Sequence, residues 1–118
     1  MMMKQEDYTH HISGRFNAEL EALRNLMLEM GGKVEQQLVS AIAALVAMDS
    51  GQAELIINRD HEVNQMEISI DEQCASILAR RQPAASDLRL IVAIIKVNTD
   101  LERIGDEAAK VAVQAMRL

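Results

Sequence analysis

Glu102 and Asp106 stand four residues apart in the run Asp100-Leu101-Glu102-Arg103-Ile104-Gly105-Asp106. On a helix that spacing puts both carboxylates on one face, where together they can bridge one cation. Carboxylate and amide oxygens suit hard cations such as Mg²⁺, Mn²⁺ and iron, whereas soft metals want thiolates. A second polar line, Asp60, Asn64, Glu67 and Asp71, follows a helical step upstream. Facing each other, the two lines would form an oxygen-rich surface. The same acids also fit ordinary solvation and ion pairs with Arg89, Lys96 or Arg103. Other chemistry finds little material. There is no Gly-rich phosphate loop, no H-E-x-x-H, and no histidine three residues after a glutamate, so a carboxylate-bridged metalloenzyme of the di-iron bundle type is disfavoured. Cys74 falls on an apolar helix face and reads as an inert small hydrophobe. His10 and His11 are adjacent, hence about 100° apart on a helix and poor joint chelators. The chain is therefore read as a non-enzyme.

Helices must carry those acids. Phe16, Leu20, Leu23, Met27, Met30, Val34, Leu38, Ala41 and Leu45 predict a first helix from near Ser13 to Met48, interrupted by Gly31-Gly32. The glycine pair is read as a kink, a break or a close approach. Asp49 with Gln52 predicts a capped start for a second helix reaching about Arg80, with Ile56, Val63, Met66, Ile70, Cys74 and Ile77 inward. Pro83 suits the first position of a third helix, with Asp87 in its first turn. That helix runs almost to Leu118 on a heptad stripe of Leu90, Ile94, Val97, Leu101, Ile104, Ala108, Val111 and Ala115. This stripe places Glu102 and Asp106 opposite the core. A thinner apolar line, Leu88, Val92, Ile95 and Val113, runs on their side and predicts a second covering layer. Short connections make the helices antiparallel. The expected architecture is all-α, an antiparallel three-helix bundle over residues 13–118, preceded by a flexible tail over 1–12. The third stripe is still in phase where the sequence ends, which suggests a continuation.

Composition agrees. Of 118 residues 49% are hydrophobic but only 2% aromatic, with five Gly and one Pro, a poor endowment for sheets. The net charge of −6 and the lack of a basic stripe argue against nucleic acid. One cysteine excludes an internal disulfide. No run approaches the roughly 20 apolar residues of a membrane span, and no leader precedes the first helix. The expected location is cytoplasmic, without membrane insertion.

The Asp100–Asp106 run resembles the signature of the PhoU family of phosphate-transport regulators. So do Arg81-Gln82-Pro83-Ala84-Ala85-Ser86-Asp87-Leu88-Arg89, the Asp60–Asp71 stretch and Met30-Gly31-Gly32. The resemblance covers nearly the whole chain beyond the first dozen residues. It implies one repeat, like the N-terminal one, of a fold built from two tandem three-helix repeats. It implies a metal motif at Glu102 and Asp106, with Asp100, Asp60 and Glu67 as further acids nearby. The implied metal is iron or another hard ion, with Mn, Mg and Zn as alternatives, and none is needed for folding. The implied role is negative regulation of the phosphate-starvation response. The implied partners are the ATPase component of the phosphate ABC transporter and a phosphate-sensor histidine kinase. Homo-oligomers are expected, because a second copy could cover the outer apolar line. The rival reading is a structural or oligomerisation bundle whose acids are merely solvated.

Overall fold

The computed structural model describes residues 5–117, with side chains described from residue 14 onward. Three helices follow one another: α1 (Gln5–Ala47), α2 (Ser50–Arg80) and α3 (Ala85–Arg117). Every pair of helices is in contact, so the arrangement is a three-helix bundle, elongated to 69 × 26 × 17 Å. The all-α reading holds.

Local chemistry sets the ends. Met48 closes α1 in the left-handed region with φ 53°. Asp49 N–H bonds to Ala44 O at 2.9 Å and Met48 N–H to Leu45 O at 3.2 Å. This is the Schellman arrangement, with Met standing where Gly is usual. Asp49 then caps α2 by accepting from Gln52 N–H at 3.0 Å, as the sequence predicts. At the far end Arg80 and Arg81 both reach Glu19 Oε1, at 3.0 and 3.1 Å. They tie the end of α2 to α1, and Arg81, then Arg80, holds the Glu19 carboxyl below its ordinary pKa against the opposing effect of burial.

Several expectations need correction. α1 begins at Gln5, not near Ser13. No proline interrupts that stretch, and the backbone ladder carries on through it. Residues 1–4 of the expected tail, and the His10 and His11 side chains, lie outside the described residues. The helix also runs unbroken through Gly31-Gly32, and nothing stands within 4 Å of a Cβ built on either. Pro83 lies before α3 and not in its first turn. Ala84 occupies the boundary instead, its carbonyl accepting from Leu88 N–H at 2.8 Å.

The core divides in two. One half is built from bulky residues: Leu23, Met30 and Val34 of α1, Val63, Ile70 and Ile77 of α2, and Ile91 and Ile94 of α3. The other half is alanine-rich: Ala41, Ala44, Ala53, Ala108, Ala112 and Ala115 around Ile56. Small residues let helices approach closely. The α1 and α2 stripes are inside as expected, but the α3 stripe is turned by one residue at every second step. Ile91, Ile94, Asn98, Gly105, Ala108, Ala112 and Ala115 are buried, while Val97 and Ile104 are exposed at 43% and 41%. The buried set keeps the same alternation of three and four once half-buried Leu101 is counted between Asn98 and Gly105. It uses an amide, a glycine and an alanine where the apolar count selected Val97, Ile104 and Val111. Consequently Glu102 and Asp106 do not stand opposite the core. They flank it, on the side toward α2.

Candidate functional site on the α2–α3 face

Between the two halves of the core lies a polar layer. Gln37 of α1, Asp60 of α2 and Gly105 of α3 meet there. A Cβ added at Gly105 would stand 3.3 Å from Val63 Cγ1, 3.5 Å from Asp60 Oδ1 and 3.6 Å from Gln37 Oε1. Glycine therefore permits the approach of three helices at this level. Asp60 Oδ1 and Gln37 Oε1 are buried without a donor, and the Gln37 amide nitrogen makes only a long 3.4 Å bond to Ile56 O.

Farther along the same face, Asn98 is fully buried. Its Nδ2 donates to Glu67 O and to Asp71 Oδ1, each at 3.0 Å. Its Oδ1 finds no donor. Asn98 is a residue that apolar periodicity passes over, and it fixes the register between α2 and α3.

The carboxylates gather around these fixed points. Burial raises the Asp60 pKa, with the Asp106 charge adding to the rise and the amides of Gln37 and Asn64 opposing it. Glu67 is raised by burial and then by the charges of Glu102, Asp71 and Asp106. Glu102 is raised by burial, then by Asp106 and Asp60, with Arg103 opposing. The structure thus sets Asp60, Glu67, Asp71, Glu102 and Asp106 along one face, each repelling at least one other. Asp100 is exposed and contributes to none of these shifts. Among the described residues no salt bridge reaches any member of the group. Arg89, Lys96 and Arg103 do not pair with it, contrary to the blander arrangement, and the bundle's ion pairs lie elsewhere.

That arrangement has a consequence for stability. A carboxyl whose pKa is raised on folding holds its proton more tightly in the folded state. The stabilisation it gives is complete below the unfolded-state pKa and disappears as pH rises through the higher folded value. Glu67→Gln is therefore expected to raise the urea midpoint at pH 7, with the gain shrinking as pH falls through the raised Glu67 value and gone below the ordinary carboxylate pKa. A variant less stable than the parent at pH 7 would show that Glu67 is compensated after all.

As a metal site the face has suitable donors but no ready-made cage. Among the described residues no three His, Cys, Asp or Glu side chains converge closely enough to hold an ion. Carboxylates outside any salt bridge and the amide oxygens Gln37 Oε1 and Asn98 Oδ1, which meet no donor, offer the oxygen chemistry of hard cations. Among the described residues no salt bridge draws the carboxylates together. Cys74 is buried, its thiol pushed up to about 11 by burial and by the Asp71 charge, so it is no thiolate ligand. Of the outer apolar line, Leu88 and Val92 are exposed at 41% and 40%, while Ile95 and Val113 are half-buried. Among the described residues no helix is long and apolar enough to cross a membrane.

Comparison with known proteins bears on this face. Residues 27–115 match the family model described as the PhoU domain. The chain is 57% identical over 117 residues to the phosphate-specific transport system accessory protein PhoU homolog of Pseudomonas putida, covering 99% of this chain and 46% of that protein. It is 54% identical over 106 residues to the phosphate-specific transport system accessory protein PhoU of Escherichia coli K12, covering 90% of this chain and 44% of that one. The crystal structure of PhoU from Pseudomonas aeruginosa superposes with a TM-score of 0.85 at 59% identity, covering 87% of this chain and 49% of that chain. That of the phosphate transport system regulatory protein PhoU from Streptococcus pneumoniae gives 0.82 at 40% identity with the same coverages. The chain spans about half the length of the curated relatives it matches.

Proposed function

The chain belongs to the PhoU domain family, and from that membership we propose that it serves phosphate-specific transport as a regulatory adaptor, acting by binding and not by bond-breaking. The observation that carries the reading is the near-complete match to accessory proteins of that transport system, 57% identical over 99% of the chain. The uncompensated carboxylate face supports it. A rigid bundle presenting clustered charge is suited to docking.

In this reading the adaptor dampens the phosphate-starvation response in the cytoplasm. It links the ATPase component of the phosphate ABC transporter to a sensor histidine kinase. The face between α2 and α3 holds a hard cation, iron or Mn with Mg and Zn as alternatives, through Glu102 and Asp106 together with Asp60 and Glu67. A bound cation would supply positive charge. The chain's own residues do the positioning: Asn98 locks α2 to α3, and Gly105 keeps Asp60 and Asp106 near each other. Self-association through the outer line of α3, at Leu88 and Val92, belongs to the same reading. A chain that stays strictly monomeric at high concentration would exclude it.

Immobilised ATPase component is the direct test of docking. The chain is expected to be retained, and Glu102→Ala/Asp106→Ala to be retained less while remaining folded, since among the described residues neither carboxylate makes a salt bridge and their removal relieves repulsion on the face. No retention of either protein would contradict the adaptor role. It would leave the rival reading of a structural bundle, which the lack of a preformed three-ligand cluster favours.

A further inference from the structure

A second polar site lies in the groove between α1 and α2, and adjoins the polar layer of the carboxylate face at Gln37 and Val63. Lys33, Gln36, Gln37 and Ser40 follow at helical steps on α1, and Arg59, Glu62 and Val63 meet them from α2. Together with Ile56 they line an open cleft of about 240 Å³. Val63 and Ile56 are buried and form an apolar floor. Apart from Glu62, the walls carry donors. Lys33 and Arg59 supply two positive charges in a chain of net charge −6. Among the described residues Arg59 makes no salt bridge, and the side chains of Gln36 and Ser40 make no hydrogen bond within the protein.

We propose that this cleft binds a small, doubly charged tetrahedral oxyanion of the phosphate class. Arg59 offers several N–H donors in a fixed fork, Lys33 a point charge, and Gln36 and Ser40 neutral donors from the facing helix. Such a spread of donors on two sides suits a tetrahedral anion better than a planar carboxylate, which one guanidinium satisfies. Glu62 is the built-in competitor. Its Oε2 lies 3.1 Å from Lys33 Nζ, with the two side chains 62% and 40% exposed. An exposed pair of this kind is held weakly, so an incoming anion exchanges with Glu62 at small cost. The cleft shares no carboxylate with the α2–α3 face, and the proposal stands independently of the adaptor role.

Amide chemical shifts of the full chain, titrated with sodium phosphate against sodium chloride at matched ionic strength, test it. Saturable shifts are expected around residues 33–40 and 56–63 with phosphate alone. Arg59→Ala should weaken binding about tenfold, the size of a lost charged hydrogen bond. Glu62→Gln should tighten it, because the internal competitor is gone. Glycerol phosphate, run in parallel, distinguishes a free phosphate from a phosphate monoester, and saturation by either supports the class. Equal, unsaturating shifts with phosphate and chloride would overturn the proposal, as would a Glu62→Gln variant that binds no tighter.

Discussion

Gly105→Val is expected to destabilise the bundle by about 1–3 kcal/mol, the usual cost of overpacking a filled site. A bare Cβ at this position already stands 3.3 Å from Val63 Cγ1. Alanine would meet that contact with a small shift of one methyl, offset by a gain of up to about 1 kcal/mol in helix propensity. Valine adds two further methyl groups where Asp60 Oδ1 and Gln37 Oε1 already lack donors. Its methyls would press hydrocarbon on buried acceptors or push α3 away from α2. Urea unfolding of the parent, alanine and valine proteins measures the difference. The expected order puts valine lowest and alanine close to the parent. A valine variant as stable as the parent would show that α2 and α3 are not in close contact at this level.

The second large effect concerns cations. If Glu102, Asp106, Asp60 and Glu67 hold a metal ion, Mn²⁺ or iron must stabilise the folded chain, since a ligand that binds only the native state at a hundred times its Kd adds about 2.7 kcal/mol. For a domain of this size that is a rise of several degrees in Tm. The effect is largest near neutral pH. Burial and mutual repulsion raise the pKa values of Asp60, Glu67 and Glu102, and a proton on any of them competes with the cation. The gain should therefore fade as pH drops into the raised carboxylate range. Thermal unfolding with and without Mn²⁺ at two pH values checks both statements. An unchanged Tm at neutral pH would remove the cation from the account.

These two expectations rest on residues that differ in how visibly the sequence marks them. The Glu102–Asp106 pair and the Asp60–Asp71 line are plain from helical spacing. The stripes of α1 and α2 are equally legible, because Leu23, Met30, Ile56 and Ile70 are both large and inward. The turn is legible through Asp49, whose side chain caps α2 as the spacing to Gln52 implies.

In α3 the apolar count misleads. Two heptad registers run side by side and share Ile94, Leu101, Ala108 and Ala115. One adds Leu90, Val97, Ile104 and Val111, and the other Ile91, Asn98, Gly105 and Ala112. Hydrophobicity prefers the first set, yet the structure buries the second. The reason is distance. The half of the core lined by Ala41, Ala44 and Ala53 draws the helices close, so only small residues fit opposite. Asn98 is admitted because Glu67 O and Asp71 accept its N–H groups. A register scored for small residues as well as apolar ones finds this set. The same one-residue turn brings Glu102 and Asp106 from the far side of α3 to the edge of α2. Their relation to Asp60 and Glu67 therefore emerges only from packing. Gln37 carries no warning in the sequence at all: it sits within an apolar helix face as a polar residue, and its partners are on other helices.

The α2–α3 carboxylate face is proposed to hold a cation. A native mass spectrum of the chain with added Fe and Mn, beside Glu102→Ala/Asp106→Ala, tests it most directly. Discrete metal adducts are expected on the parent and not on the variant. Adducts of equal intensity on both proteins, or none on either, would contradict it.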